Sequence, residues 1–395
     1  MTFGRFAQLP PRRTIARTER REATAVAAGI LSRRVEHGDR IAIMLPTQRS
    51  YFTIFVGVLL AGCTPVPIYP PPSMATLGEH LARQSRLLRN AGTTMLVTVP
   101  EARLAARLVR AQVPSLRSVL TPEELMGLAG SAAERGTLPA ARADDIALIH
   151  YTSGSTGDPK GVVLTHAQLL SNIRSMGEAA QVTTSDVFVS IDRIPDSELE
   201  TLDLSSWRLS FSGSEQVSAA TVGDFERRFA PRGFRHETMC PAYGLAEAGV
   251  GLAFTPVGEG PVTETVEPGE LERSGRAVPV APETEGALTF VSCGVPLPGF
   301  EIKVAGARGE ELPDRHEGNI VCRGPSATTG YFNNDDANRK LWRHGWLDTG
   351  DLGYIKNGRP LFDGPRQGHH HSCRPQSSSR RARAGPRQCR RRRLP

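Results

Sequence analysis

The chain has 395 residues, 39% hydrophobic and 23% charged, a composition that reads as a globular protein of two or three subdomains and excludes a fibrous or wholly disordered one. Its formal charge of +7 is local: residues 364–395 hold ten Arg and no Asp or Glu, leaving residues 1–363 at about −3, which argues against a nucleic-acid-binding body. The six Cys, at 63, 240, 293, 322, 373 and 389, show no close-spaced pattern and fit a reducing cytoplasm rather than a disulfide framework, and the longest apolar run, Tyr51 to Gly62, is too short for an integral membrane segment.

Residues 1–18 match no motif. From Thr18, "TERREATAVAAGIL" predicts an amphipathic helix, "RIAIMLP" a buried strand, "YFTIFVGVLLAG" a helix and "TPVPIY" a strand. A helix over 76–91 and the strand "TMLVTV" follow, so strands alternate with helices as in a parallel α/β sheet. Residues 121–144, rich in Ala, Gly, Glu and Pro, predict a surface connection. "DIALIHYT" is a strand running into a Gly-rich loop, and "GVVLTH" is the strand after it, leading to a helix near 166–180. From about residue 259 helical periodicity fades, and "GALTFVSCG", "FEIKV" and "GNIVCRG" predict short antiparallel strands of a small β subdomain.

The loop "YTSGSTGDPKG", Tyr151 to Gly161, is the strongest signal. Hydroxyl and glycine residues at Thr152, Ser153, Gly154, Ser155, Thr156 and Gly157 supply O–H and N–H donors able to wrap a polyphosphate. Lys160 adds a point charge. A Walker A loop is excluded, because that pattern needs Ser or Thr after the Lys at the start of a helix, and here Gly161 and a β run follow.

This loop resembles the signature of the AMP-forming acyl and aryl ligases, the adenylating-enzyme superfamily, and further segments match in that family's order. "GSE" (Gly213, Ser214, Glu215) stands where the family lines adenine. "AYGLAEA" sets Tyr243 and Gly244 against adenine and Glu247 as the carboxylate for Mg2+, a hard ion that takes oxygen ligands. "WLDTGDLGY" sets Asp351 on the ribose hydroxyls, and "GPSATTGYFNN" is the segment usually found before it. "PVPIYPPP", "RQSRLLRNAG" and "VSCGVPLPGFEI" are similar to the fatty-acyl-AMP ligases in particular, with long-chain acyl-CoA synthetases the near alternative.

The resemblance covers about residues 19–363 and implies an AMP-binding α/β region with parallel sheets over 19–258 and a β-rich subdomain over 259–363. It also implies ATP-dependent activation of a fatty acid to an acyl-adenylate, catalysed through Thr152, Lys160 and Glu247. The acyl group then passes to the thiol of an acyl carrier protein or polyketide synthase carrier domain, or to CoA.

Two departures stand against that pattern. Ser190 meets Ile191 where the family carries several dozen more residues, among them a His-bearing motif and helices lining the fatty-acid tunnel. After "GRPLFDG" the family continues into a hinge and a mobile C-terminal domain that holds a catalytic Lys, whereas residues 364–395 are Arg-rich and of low complexity. That end reads as a disordered tail, as a metal-binding cluster at His369–His371, or as a frameshift. Three adjacent His cannot all face one site on a regular element, which counts against the metal reading. With a consistent choice of codons, advancing the reading frame by one base through Gln367–His371 turns Pro365–Ser379 into a hinge-like sequence, which favours the frameshift reading. An inactive, ATP-binding remnant is therefore the alternative to an active ligase.

Overall fold

The computed structural model describes residues 12–69, 77–128, 137–152, 160–186 and 200–365. Helix α1 (Arg12–Leu31), β1 (Arg40–Met44), α2 (Arg49–Leu60), β2 (Thr64–Pro67), α3 (Leu77–Ala91), β3 (Met95–Thr98), α4 (Arg103–Gln112) and β4 (Ser118–Leu120) build the first layer. β1 to β3 are short apolar runs, as a parallel sheet covered on both faces requires, and the four strands pair parallel in the order β2-β1-β3-β4. Alternation splits the side chains between two cores. Ile41, Ile43, Met95 and Val97 pack with Val26 and Ile30 of α1 and Ile54 and Val58 of α2. Ala42, Met44 and Leu96 pack with Leu87, Leu88 and Ala91 of α3.

The stretch expected to be a surface connection differs at its start. Helix α5 (Pro122–Gly127) is closed by a reciprocal capping box between Thr121 and Glu124. Its Leu125 is fully buried in the core that α1 and α2 share, and a Cβ on Gly29 of α1 would lie 2.1 Å from the Leu125 carbonyl oxygen. Six residues are too few to show a helical period among Ala, Gly and Pro, which is why composition hides this element.

Strands β5 (Ile146–Thr152) and β6 (Lys160–Thr165) form an antiparallel pair, docked on β2 where Thr64 Oγ1 donates to the Ile146 carbonyl over 3.0 Å. Helix α6 (His166–Ala179) follows, capped by Thr165 and Gln168. β7 (Ser210–Ser212), α7 (Ala219–Phe229), β8 (Met239–Tyr243) and β9 (Ala253–Phe254) continue the chain. The rest is β10 (Val262–Val266), α8 (Pro268–Ser274), β11 (Leu288–Ser292), β12 (Val295–Pro296), β13 (Glu301–Ala305), β14 (Gly318–Arg323), α9 (Asp335–Leu341), β15 (Trp342–Arg343), β16 (Trp346–Lys356) and β17 (Arg359–Pro365). The β-rich region forms an antiparallel sheet in the order β10-β11-β17-β16-β14-β13, with β15 on β16. β12 leaves it to pair with β9 in the sheet β12-β9-β8-β7, so hydrogen bonds cross the boundary expected near residue 259.

Among the described residues no helix is long and apolar enough to cross a membrane. Cys63, Cys240, Cys293 and Cys322 are buried and unbridged.

Candidate nucleotide site

The Gly-rich segment joins the two strands of a hairpin. Thr152 ends β5, Lys160 opens β6, and the two face each other in register, while Ser153, Gly154, Ser155, Thr156 and Gly157 lie outside the described residues. A third strip runs along the far side of β6. Val163 N–H donates to the Gly330 carbonyl (3.1 Å), Phe332 N–H donates to the Gly161 carbonyl (2.7 Å), and Val162 bridges Tyr331. This strip delivers Tyr331 to the mouth of the hairpin. Lys160 Nζ sits 5.3 Å from the centre of the Tyr331 ring, within cation–π range. The Tyr331 hydroxyl donates to Glu247 Oε1 over 2.8 Å. Burial first, and then the charge of Glu247, push the Tyr331 pKa up, so the phenol stays a donor.

Glu247 lies in the short 3-10 turn Ala246–Ala248 just after β8, and its carbonyl accepts the Thr328 N–H over 2.7 Å. Two further groups feel its charge, buried Cys322 and half-buried His150. Cys322 is pushed up to about 12, by burial and then by Glu247. His150, on β5 two residues before Thr152, is held below the ordinary 6.5 by burial, against a smaller upward pull from Glu247.

A second pair assembles beside this one. The Tyr243 hydroxyl, at the end of β8, donates to Asp351 Oδ2 in β16 over 2.6 Å. One face of the Tyr243 ring is covered by Phe362 of β17, with ring centres 3.7 Å apart and planes at 25°. Burial and the Asp351 charge drive the Tyr243 pKa well up. Asp351 is set within β16: its N–H donates to Thr349 Oγ1 (3.2 Å), and that hydroxyl donates to the Ile320 carbonyl (2.8 Å). Gly244 permits the close return of the chain, since a Cβ there would fall 1.6 Å from the Val250 carbonyl oxygen. Gly213 follows β7, and a Cβ on it would stand 2.6 Å from the Ala242 carbonyl oxygen. Ser214 takes φ +73°, in the left-handed region, and Glu215 is exposed.

Hydrogen bonds and ring contacts thus join Lys160 to Glu247 through Tyr331, and Tyr243 to Asp351 directly, from segments far apart in the chain. Among the described residues no group of three or more His, Cys, Asp or Glu could cage a metal. The donor set fits Mg2+ held by one carboxylate, with phosphates and water completing its shell. Tyr331, His150 and Phe362 were absent from the sequence-based site. For Tyr331 a signal was available in the "TGYFNN" string, but not its partner 84 positions away. A cavity of about 230 Å³, lined by His37, Cys63, Asp145 and His166 among others, opens beyond the end of β6 opposite Lys160.

Fold and family together mark an AMP-forming ligase. The profile of the AMP-binding enzyme family matches residues 14–195 and 190–332, and the chain belongs to that family. A putative acyl-CoA synthetase of Caulobacter vibrioides is 27% identical over 413 aligned residues, covering 87% of this chain and 70% of the relative. A medium-chain-fatty-acid–[acyl-carrier-protein] ligase of Moorena producens is 25% identical over 420 residues, with 87% and 70% covered. A solved structure from a study of fatty acyl-adenylate ligases of E. coli and L. pneumophila superposes with a TM-score of 0.82 at 27% identity, covering 88% of this chain and 73% of that one.

Proposed function

We propose that the chain binds Mg2+ and ATP at this site and activates a fatty acid as its acyl-adenylate. In the reaction a fatty carboxylate oxygen attacks the α-phosphorus, the bond to the bridging oxygen breaks, and pyrophosphate leaves. Lys160 and the hairpin donors offset phosphate charge, Tyr243 stacks on adenine and Asp351 accepts from the ribose hydroxyls. Bound Mg2+, held by Glu247, supplies further neutralisation of the phosphate oxygens. A phosphopantetheine thiol on a carrier protein or carrier domain, or the thiol of CoA, then displaces AMP. The carrier-protein specificity in the name of the Moorena relative supports the first acceptor.

The observation that carries this reading is that two tyrosines tie together segments far apart in the chain, Tyr331 meeting Lys160 with its ring and Glu247 with its hydroxyl, and Tyr243 donating to Asp351. Fatty-acid-dependent exchange of labelled pyrophosphate into ATP tests it.

A second reading, an ATP-binding remnant, is favoured by a specific observation. The alignment to the Caulobacter protein spans 413 positions but uses about 344 residues of this chain (87% of 395), so about 69 positions have no residue here. The two stretches matched by the family profile meet at 190–195, beside the Ser190–Ile191 junction. Loss of acyl-site residues at that junction would leave nucleotide binding intact and remove fatty-acid positioning, a contribution of roughly 7–11 kcal/mol to such reactions. ATP binding with exchange at background, across a panel of chain lengths, supports the remnant. Robust exchange supports the ligase, and absence of ATP binding overturns both.

A further inference from the structure

Lys160 and Glu247 carry opposite charges at one site, yet they make no direct ion pair. Two such groups facing each other across an empty site tend to collapse into a salt bridge, and a ligand must then break it. Here a neutral side chain stands between them. Its hydroxyl donates to Glu247 Oε1 at 2.8 Å and its ring lies 5.3 Å from Lys160 Nζ. Each charge is solvated without being cancelled.

We infer that Tyr331 is a positioning residue for the nucleotide site, keeping Glu247 available to the magnesium ion and Lys160 available to the phosphates by partnering both while neutralising neither. The inference rests on the nucleotide-binding reading above.

Tyr331 is itself clamped as a positioning residue must be. Its N–H donates to Asn338 Oδ1 (2.6 Å), and Asn338 Nδ2 donates back to its carbonyl (3.0 Å). The bridge to Val162 fixes it against β6, the strand that begins at Lys160. Gly330 leaves the space that the clamp needs, since a Cβ there would stand 2.7 Å from Asn338 Oδ1. The support therefore reaches Glu247 and Lys160 through one rigid strip rather than through two loops.

The two contacts can be separated by substitution. Tyr331→Phe keeps the ring under Lys160 and removes the hydroxyl from Glu247, whereas Tyr331→Leu removes both. ATP affinity is measured by calorimetry on the full chain, once with Mg2+ and once with EDTA. The wild-type chain is expected to bind more tightly with Mg2+. In Tyr331→Phe that gain should shrink roughly tenfold while affinity in EDTA is unchanged, as for loss of a hydrogen bond to a charged group. Tyr331→Leu should in addition weaken binding in EDTA by a few fold, the loss of a cation–π contact. A Phe variant with the wild-type Mg2+ gain overturns the inference. So does one weakened equally in both conditions, which marks a merely structural role. A wild-type chain that binds no ATP in either condition overturns the nucleotide reading and this inference with it.

Discussion

Asp351 accepts a 2.6 Å hydrogen bond from the Tyr243 hydroxyl, so the two side chains share the ATP-binding roles proposed for them. Phe362 covers one face of the Tyr243 ring, so in the proposed complex adenine would stack on the other. Asp351→Asn should weaken ATP binding roughly tenfold, because a charged acceptor is replaced by a weaker neutral one. Tyr243→Phe should cost less, since the ring survives and only the bond to Asp351 is lost. Calorimetry with ATP orders the two, and the opposite order would show that the tyrosine hydroxyl matters more than the ribose carboxylate. His150 gives a pH dependence. Its folded-state pKa lies below the ordinary 6.5, so its contribution to stability is complete above that pH and is lost as pH falls from there toward the folded value. Melting temperature should drop between pH 7 and 5, and His150→Gln should flatten that slope. What sequence showed at this scale were contiguous strings, the loop, "AYGLAEA" and "WLDTGD". His150 escaped because its shift comes chiefly from burial in the folded chain, and Phe362 because its partner Tyr243 lies 119 positions away, neither of which a string displays.

Elements were legible in proportion to their length and apolar content. The runs that became β1, α2 and β3 fill the first-layer cores, and nothing local competes with their pattern. The antiparallel strands β11, β13 and β14 were readable for the same reason, but their order was not, because β17 inserts between β11 and β16 through pairing that adjacent sequence cannot reveal. Helix α5 was missed. It is a stability element nonetheless, since Leu125 is fully buried against α1 and α2. Leu125→Ala should destabilise by about 2–5 kcal/mol, the usual cost of emptying an aliphatic core site. Thr121→Ala, which opens the capping box, should cost about 0.5–2 kcal/mol. Urea melts of the two variants measure both. Equal and negligible losses would mean that α5 is peripheral to the cooperative fold.

At the scale of the whole molecule, charge and fold are separated along the chain. The ten Arg beyond Asp363 all lie after Pro365, the last residue of β17, which pairs with Asp351. The residues proposed to bind the nucleotide therefore lie within a body of about −3, although the chain as a whole is at +7. A body of that sign does not attract polyphosphate at long range, so on the proposed function ATP capture would depend on short-range contacts such as Lys160. The tail, by contrast, has the composition for sequence-independent binding to polyanions. The 395-residue chain should therefore bind single-stranded DNA in low salt, with affinity falling along a log–log slope no steeper than about −7, the single-strand limit for ten neutralised phosphates. A chain ending at Pro365 should lose that binding and keep its melting temperature and its ATP affinity. Truncation after Asp363 would be different, because it removes the Gly364 and Pro365 partners of β16 beside Asp351 and should weaken ATP binding. If the chain ending at Pro365 still bound DNA with an undiminished salt slope, the basic character would belong to the folded body after all.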